Sequence, residues 1–107
     1  MADDVVTEIE NEIRNHKVMI YMKGTASFPQ CGFSAATVEI FQVLGRPFST
    51  VDVLSQPAKR EAIKRYSSWP TVPQVYIDGK FIGGCDIVRE LYERGELRRI
   101  LDEAFAS

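Results

Sequence analysis

The chain has 107 residues, 45% of them apolar and 26% charged, with a formal net charge of −2. That length suits one domain, residues 1–107, able to bury a core without metal or disulfide staples, and the charge gives no electrostatic case for nucleic acid. No apolar run approaches the roughly 18 residues of a membrane span, so no membrane partner is expected.

The N-terminal stretch MADDVVTEIENEI is acidic and lacks an apolar signal core. Neither export nor an uncleaved transit peptide is expected from it. Asp3 or Asp4 is predicted to cap a first helix with Val5, Val6, Ile9 and Ile13 on one face. Lys17 to Met22 reads as a short buried strand. A loop, KGTASFPQC, follows. Phe33, Ala36, Ile40, Phe41 and Leu44 then recur at helical spacing, and Gly45 suits the stop. Phe48 to Val53 reads as a second strand. A helix between two such strands is a βαβ unit, which predicts parallel strands and a right-handed crossover.

Ser55 or Gln56, with Pro57 in the first turn, opens a third helix whose Ala62, Ile63 and Tyr66 face inward. Gln74–Ile77 and Lys80–Ile82 flank Asp78-Gly79, a strong hairpin signal. Asp86 is placed to cap a helix bearing Ile87, Val88, Leu91 and Tyr92. Gly95 breaks it, and Leu97, Ile100, Leu101 and Phe105 mark a last helix. The order α-βαβ-α-ββ-α-α predicts an α/β fold: a four-stranded mixed sheet with helices on both faces.

Cys31 lies between a strand and a helix. Its sulfur would sit near unpaired backbone N–H groups and the positive end of the helix dipole, which stabilise a thiolate. Lys23 would add a cation. The alternative is an inert buried cysteine beside a surface lysine. A Cys-x-x-Cys site resolves its mixed disulfide with the second thiol; here position 34 is serine. A second thiol must come from elsewhere, or the thiolate can stay a metal ligand.

A cis Val72-Pro73 peptide would turn the Val72 backbone toward a peptide-like ligand; a trans proline opening a strand is the alternative. Gly84, Cys85 and Asp86 read as a backbone made for close approach and a helix start. Asp86 would serve as N-cap, as a partner for a ligand amine, or as both. Cys85 reads as half-buried and structural, and as the only internal candidate for a resolving thiol. Lys59, Arg60, Lys64 and Arg65 each read singly as a solvated helix face, and His16 as a surface residue. Two cysteines are too few for a secreted disulfide framework and fit a reducing compartment.

MKGT at 22–25, PQCGFS at 29–34, WPTVPQVYIDG at 69–79 and GGCDIV at 83–88 together resemble the monothiol glutaredoxins of the CGFS type, a branch of the thioredoxin-like superfamily. The resemblance covers nearly the whole chain. One departure is Ala26, where the family commonly has proline. The resemblance implies a thioredoxin-like fold with Val72-Pro73 cis, and a glutathione site. Lys23 would meet the glycine-end carboxylate or the sulfur region, and Arg60 would help hold that carboxylate. Thr71 and Val72 would bind the cysteinyl portion through their backbone. Gly84, Cys85 and Asp86 would hold the γ-glutamyl end.

The resemblance further implies a [2Fe-2S] cluster between the subunits of a homodimer. Cys31 from each subunit and the thiolate of each bound glutathione would supply the four ligands. The implied task is carriage from an assembly scaffold to apo-proteins. The competing expectation is a glutathione-dependent thiol–disulfide oxidoreductase with Cys31 as nucleophile. A short chain without a leader fits a bacterial cytoplasm; a mature mitochondrial form cut from a precursor would look the same.

Overall fold

The computed structural model describes residues 2–106. Helix α1 spans Ala2–Asn15, strand β1 Val18–Met22, α2 Gly32–Leu44, β2 Ser49–Asp52 and α3 Pro57–Ser67. Strands β3 (Gln74–Ile77) and β4 (Lys80–Gly83) follow, then α4 (Cys85–Glu93) and α5 (Glu96–Ala106). The sheet has four strands in the order β2-β1-β3-β4. β1 runs parallel to β2, with Met19 opposite Ser49, and antiparallel to β3, with Val18 opposite Ile77. The expected parallel pair and the mixed four-stranded sheet therefore hold.

Every residue of β1 is buried, because helices cover both faces of the sheet. Alternate side chains go to opposite sides. Val18, Ile20 and Met22 join Val75, Ile77, Val88, Leu97 and Leu101 under α2, α4 and α5. Met19 and Tyr21 join Ile9, Ile13, Val53, Ile63 and Tyr76 under α1 and α3. Each such aliphatic side chain contributes about 1.5–3 kcal/mol on burial. The hairpin between β3 and β4 turns through Asp78 at φ +52° and Gly79 at φ +81°, the paired left-handed geometry that Asp-Gly favours.

Several local expectations are corrected. α1 already runs from Ala2, so positions 3 and 4 lie inside the helix and not at its N-cap position. In α2 the buried stripe is Ser34, Thr37, Val38 and Phe41, with Ile40 beside it. Phe33, expected inside, is 58% exposed, since the first turn of α2 faces a cleft. Tyr66 is also exposed, with its ring 6.1 Å from that of Tyr76.

Lys59 is no solvated residue. Its side chain is only 4% exposed, and Nζ donates to Glu8 at 2.5 Å and Glu12 at 2.6 Å on α1. Gly45 ends α2 as expected, at φ +78°, with its N–H donating to Phe41 O at 3.1 Å.

Candidate functional site

A cleft of about 420 Å³ opens where α2, α3, α4 and the loop before β3 meet. All eight residues singled out from the sequence line it: Lys23, Cys31, Arg60, Thr71, Val72, Gly84, Cys85 and Asp86. Phe33, Lys64, Trp69 and Pro73 complete much of the wall.

Cys31 is the N-cap of α2, in extended backbone, and is partly exposed. The loop that delivers it is closed at its neck. Gln30 N–H donates to Lys23 O at 2.9 Å, and Gly24 pairs with Pro29 across a β-bridge. Gly24 N–H donates to Asp52 Oδ1 at 2.9 Å, anchoring the same neck to the end of β2.

The Cys31 thiol is held below its ordinary pKa. The Ser34 backbone N–H is the main cause. Burial opposes it, and the Phe33 N–H, the Lys23 ammonium and the Ser34 hydroxyl act in the same lowering sense. The helix N-terminus thus stabilises the thiolate through unpaired amides. Ser34 itself is fully buried, and its Oγ accepts the Lys23 backbone N–H at 3.1 Å.

α3 brings two cations to the cleft. Arg60 is the expected one; Lys64, expected on a solvated face, lines the wall, paired with Glu61 at 3.0 Å. With Lys23 they make three positive groups against one carboxylate, Asp86. Val72-Pro73 is cis. Among the described residues, neither the N–H nor the C=O of Val72 has a protein partner.

The start of α4 differs from expectation. Gly84 is the N-cap, and Asp86 is the second residue of the helix, exposed and, among the described residues, without a partner. Asp86 therefore does not cap, and it lines the cleft. No side chain caps α4, so the first-turn N–H groups at Cys85 and Asp86 are open to an anion. A Cβ on Gly84 would sit 3.3 Å from Pro73 O and 3.4 Å from Trp69 Nε1. Cys85 is more buried than expected, at 6% exposed, and accepts a long contact from Arg89 Nη2 at 3.6 Å. Both cysteines are free thiols.

Chemically, the cleft offers a thiol of lowered pKa, cations for a ligand carboxylate, free backbone for a peptide and the one carboxylate of Asp86 for an amine. Sequence reasoning missed Lys64, the outward Phe33 and the buried Gln74, whose amide holds the cleft wall through Trp69 O and Thr71 O. Lys64 follows Arg60 by one helical turn, which was the available signal.

The glutaredoxin family model matches residues 18–82. The whole chain is 49% identical to monothiol glutaredoxin-S7, chloroplastic, of Oryza sativa subsp. japonica, and spans 64% of that relative's length. It is 50% identical over 107 residues, all of both chains, to a monothiol glutaredoxin ycf64-like protein of Synechocystis. Among solved structures it is similar to a buckwheat glutaredoxin–glutathione complex, with 26% identity and a TM-score of 0.87 over 98% of this chain and 94% of that one. The neighbours share the thioredoxin-like fold.

Proposed function

The chain belongs to the glutaredoxin family, in its monothiol branch, and from that premise we propose that it binds glutathione and carries a [2Fe-2S] cluster to apo-proteins in iron–sulfur assembly. One observation carries this reading. A partly exposed thiol of lowered pKa, Cys31, stands in a cationic cleft, with a buried serine at the position where a Cys-x-x-Cys site has its second thiol.

Arg60 and Lys23 are assigned to the glycine-end carboxylate of glutathione, where charge-assisted hydrogen bonds are strong. The unpaired Val72 backbone, with Thr71, takes the cysteinyl portion. Gly84 and Cys85, at the N-terminus of α4, with the Asp86 carboxylate, take the γ-glutamyl end. This arrangement brings the glutathione sulfur toward Cys31.

The cluster is cargo. Among the described residues no group of three His, Cys, Asp or Glu side chains stands ready for a metal, so one chain cannot supply four ligands. Cys31 from each of two copies and the thiolate from each of two glutathiones would close the set, making the loaded form a homodimer. Half of those ligands are exchangeable small molecules, which suits a carrier that accepts from a scaffold and releases to apo-proteins. Both core clusters lean on one sheet, which supports treating residues 1–107 as a single domain. Two free thiols suit a reducing cytoplasm.

The partial exposure of Cys31 favours a second reading, deglutathionylation. The Cys31 thiolate would attack the glutathione sulfur of a mixed disulfide, forming a Cys31–glutathione bond and releasing the protein thiolate. A second glutathione thiolate would then free Cys31 and leave oxidised glutathione, so electrons balance. Cys85 is the other candidate to resolve the intermediate.

Anaerobic reconstitution with iron, sulfide and glutathione, followed by visible absorption and size exclusion, tests the carrier. A coloured dimer that needs both glutathione and Cys31 supports it. A colourless monomer, with robust turnover in a glutathione-coupled assay, would favour the oxidoreductase.

A further inference from the structure

Gln74 opens β3 and is fully buried, yet its side chain is polar. Its amide is fully engaged. Nε2 donates to Trp69 O at 3.2 Å and to Thr71 O at 3.1 Å, while Oε1 accepts the Tyr76 hydroxyl at 3.1 Å. Two donors and one acceptor are what a neutral amide offers. A carboxylate could not donate to two carbonyls, and a hydrocarbon would strand both of them.

The partners are the cleft wall itself. Trp69 and Thr71 line the cleft, and Val72 follows them. The same segment is held from its other side, since Trp69 N–H donates to Ser67 Oγ at 3.1 Å. Behind Gln74, Tyr76 is packed against Tyr21 and Phe81, with ring centroids at 5.8 and 5.3 Å. Gln74 does not line the cleft. It joins the rigid aromatic core to the stretch of backbone that faces a ligand.

We propose that Gln74 is a positioning residue for glutathione: its buried amide sets the Trp69–Val72 backbone at the height where the ligand's peptide can pair with Val72. This rests on the glutathione reading above. A core amide that was merely satisfied would affect stability, whereas a positioning amide affects ligand affinity beyond stability.

The test is calorimetric titration of reduced glutathione into the wild type and Gln74→Met, each checked by thermal melting. Trp69, the single tryptophan, gives a local signal through its emission. The variant should bind about tenfold more weakly, the scale of a lost buried hydrogen-bond set. Its Trp69 emission should shift, while iodoacetamide should alkylate Cys31, which has no bond to Gln74, at the wild-type rate. Unchanged affinity and emission in a folded Gln74→Met would overturn the inference alone. A wild type that takes up no glutathione would overturn the functional reading, and this inference with it. Should the variant not fold, the Gln74 side-chain amide resonances of the wild type decide. Slow solvent exchange and a shift on glutathione addition support the role; rapid exchange, or resonances unmoved at saturation, overturn it.

Discussion

The Ser34 hydroxyl accepts the backbone N–H of Lys23 at 3.1 Å, joining the first turn of α2 to the residue that follows β1. Between them runs the whole loop that presents Cys31. Serine at this position therefore does more than remove a resolving thiol. It is a buried strut whose two ends, Lys23 and the α2 amides, both lower the pKa of Cys31.

Ser34→Ala should therefore raise the pH at which Cys31 becomes reactive. A thiol of lowered pKa is a thiolate at lower pH, so alkylation accelerates earlier on a rising pH scale. The variant keeps the Ser34 amide, the largest cause, and loses only the hydroxyl. The midpoint should move upward but stay below that of the urea-unfolded chain. The same lowered pKa stabilises the fold above the unfolded thiol value, a contribution lost as pH falls through the folded value. Iodoacetamide kinetics against pH, in a Cys85→Ser background, measure this; an unmoved or lower midpoint would remove Ser34's hydroxyl from the account.

The two cysteines should separate cleanly in cluster loading. Cys31 is partly exposed at the cleft mouth, whereas Cys85 is 6% exposed in the first turn of α4. Cys31→Ser should abolish the visible absorption of the reconstituted protein, while Cys85→Ser should retain most of it. Iron determined per chain after desalting gives the comparison, and equal loading of the two variants contradicts the ligand assignment.

Much of this fold was legible because its signals are local. Asp78-Gly79 fixes a hairpin within two residues, and an apolar strand on each side of a helix fixes a parallel pair. α2 shows where such reading fails. Apolar spacing favours Phe33 and Ala36, but the buried stripe begins with Ser34 and Thr37. Both hydroxyls are satisfied: Ser34 Oγ by Lys23, and Thr37 Oγ1 by donating to Phe33 O at 2.9 Å. Hydrogen bonding cancels the cost that hydropathy assigns them. Lys59 was misread because its carboxylate partners lie on α1, 47 and 51 residues away in the chain. The cleft residues were legible from motifs; that Gly84 and not Asp86 caps depends on where α4 begins, two residues earlier than a helix capped by Asp86 would.

Two glycines in the same region should respond oppositely to alanine. Gly24 sits at φ +87°, and a Cβ there would lie 2.5 Å from Phe28 O and 2.6 Å from Gln30 N. Those are backbone atoms of the Cys31 loop and cannot swing aside. Gly24→Ala should cost about 2–4 kcal/mol and weaken glutathione binding. A Cβ on Gly32, the first residue of α2, would meet nothing within 4 Å. Gly32→Ala should be neutral or stabilise by up to about 1 kcal/mol. Urea unfolding at neutral pH measures both, and equal effects would contradict this account of the loop.

Lys59 should prove a stability residue remote from the chemistry. It ties α3 to α1 through Glu8 and Glu12, and Glu12 also accepts the Tyr21 hydroxyl at 2.8 Å. Removing the lysine strands Glu12, whose side chain is 22% exposed, while water screens the 55% exposed Glu8. Lys59→Met should therefore cost about 1–3 kcal/mol, less than a fully buried pair. Burial lowers the Lys59 pKa, but the bonds and charges of Glu12 and Glu8 outweigh it, leaving a net rise. Burial, then Glu12, raises that of Tyr21. A raised folded value means stability fully present below the unfolded value and lost as pH climbs through the folded one. The wild type should lose this contribution only above about pH 10, where unfolded lysine and tyrosine titrate. Lys59→Met should show a shallower loss there, because the buried tyrosines Tyr21 and Tyr76 still titrate with raised values but the lysine no longer does. Urea midpoints from pH 7 to 11 for both proteins test the slope, and parallel curves would mean that Lys59 carries no linked proton.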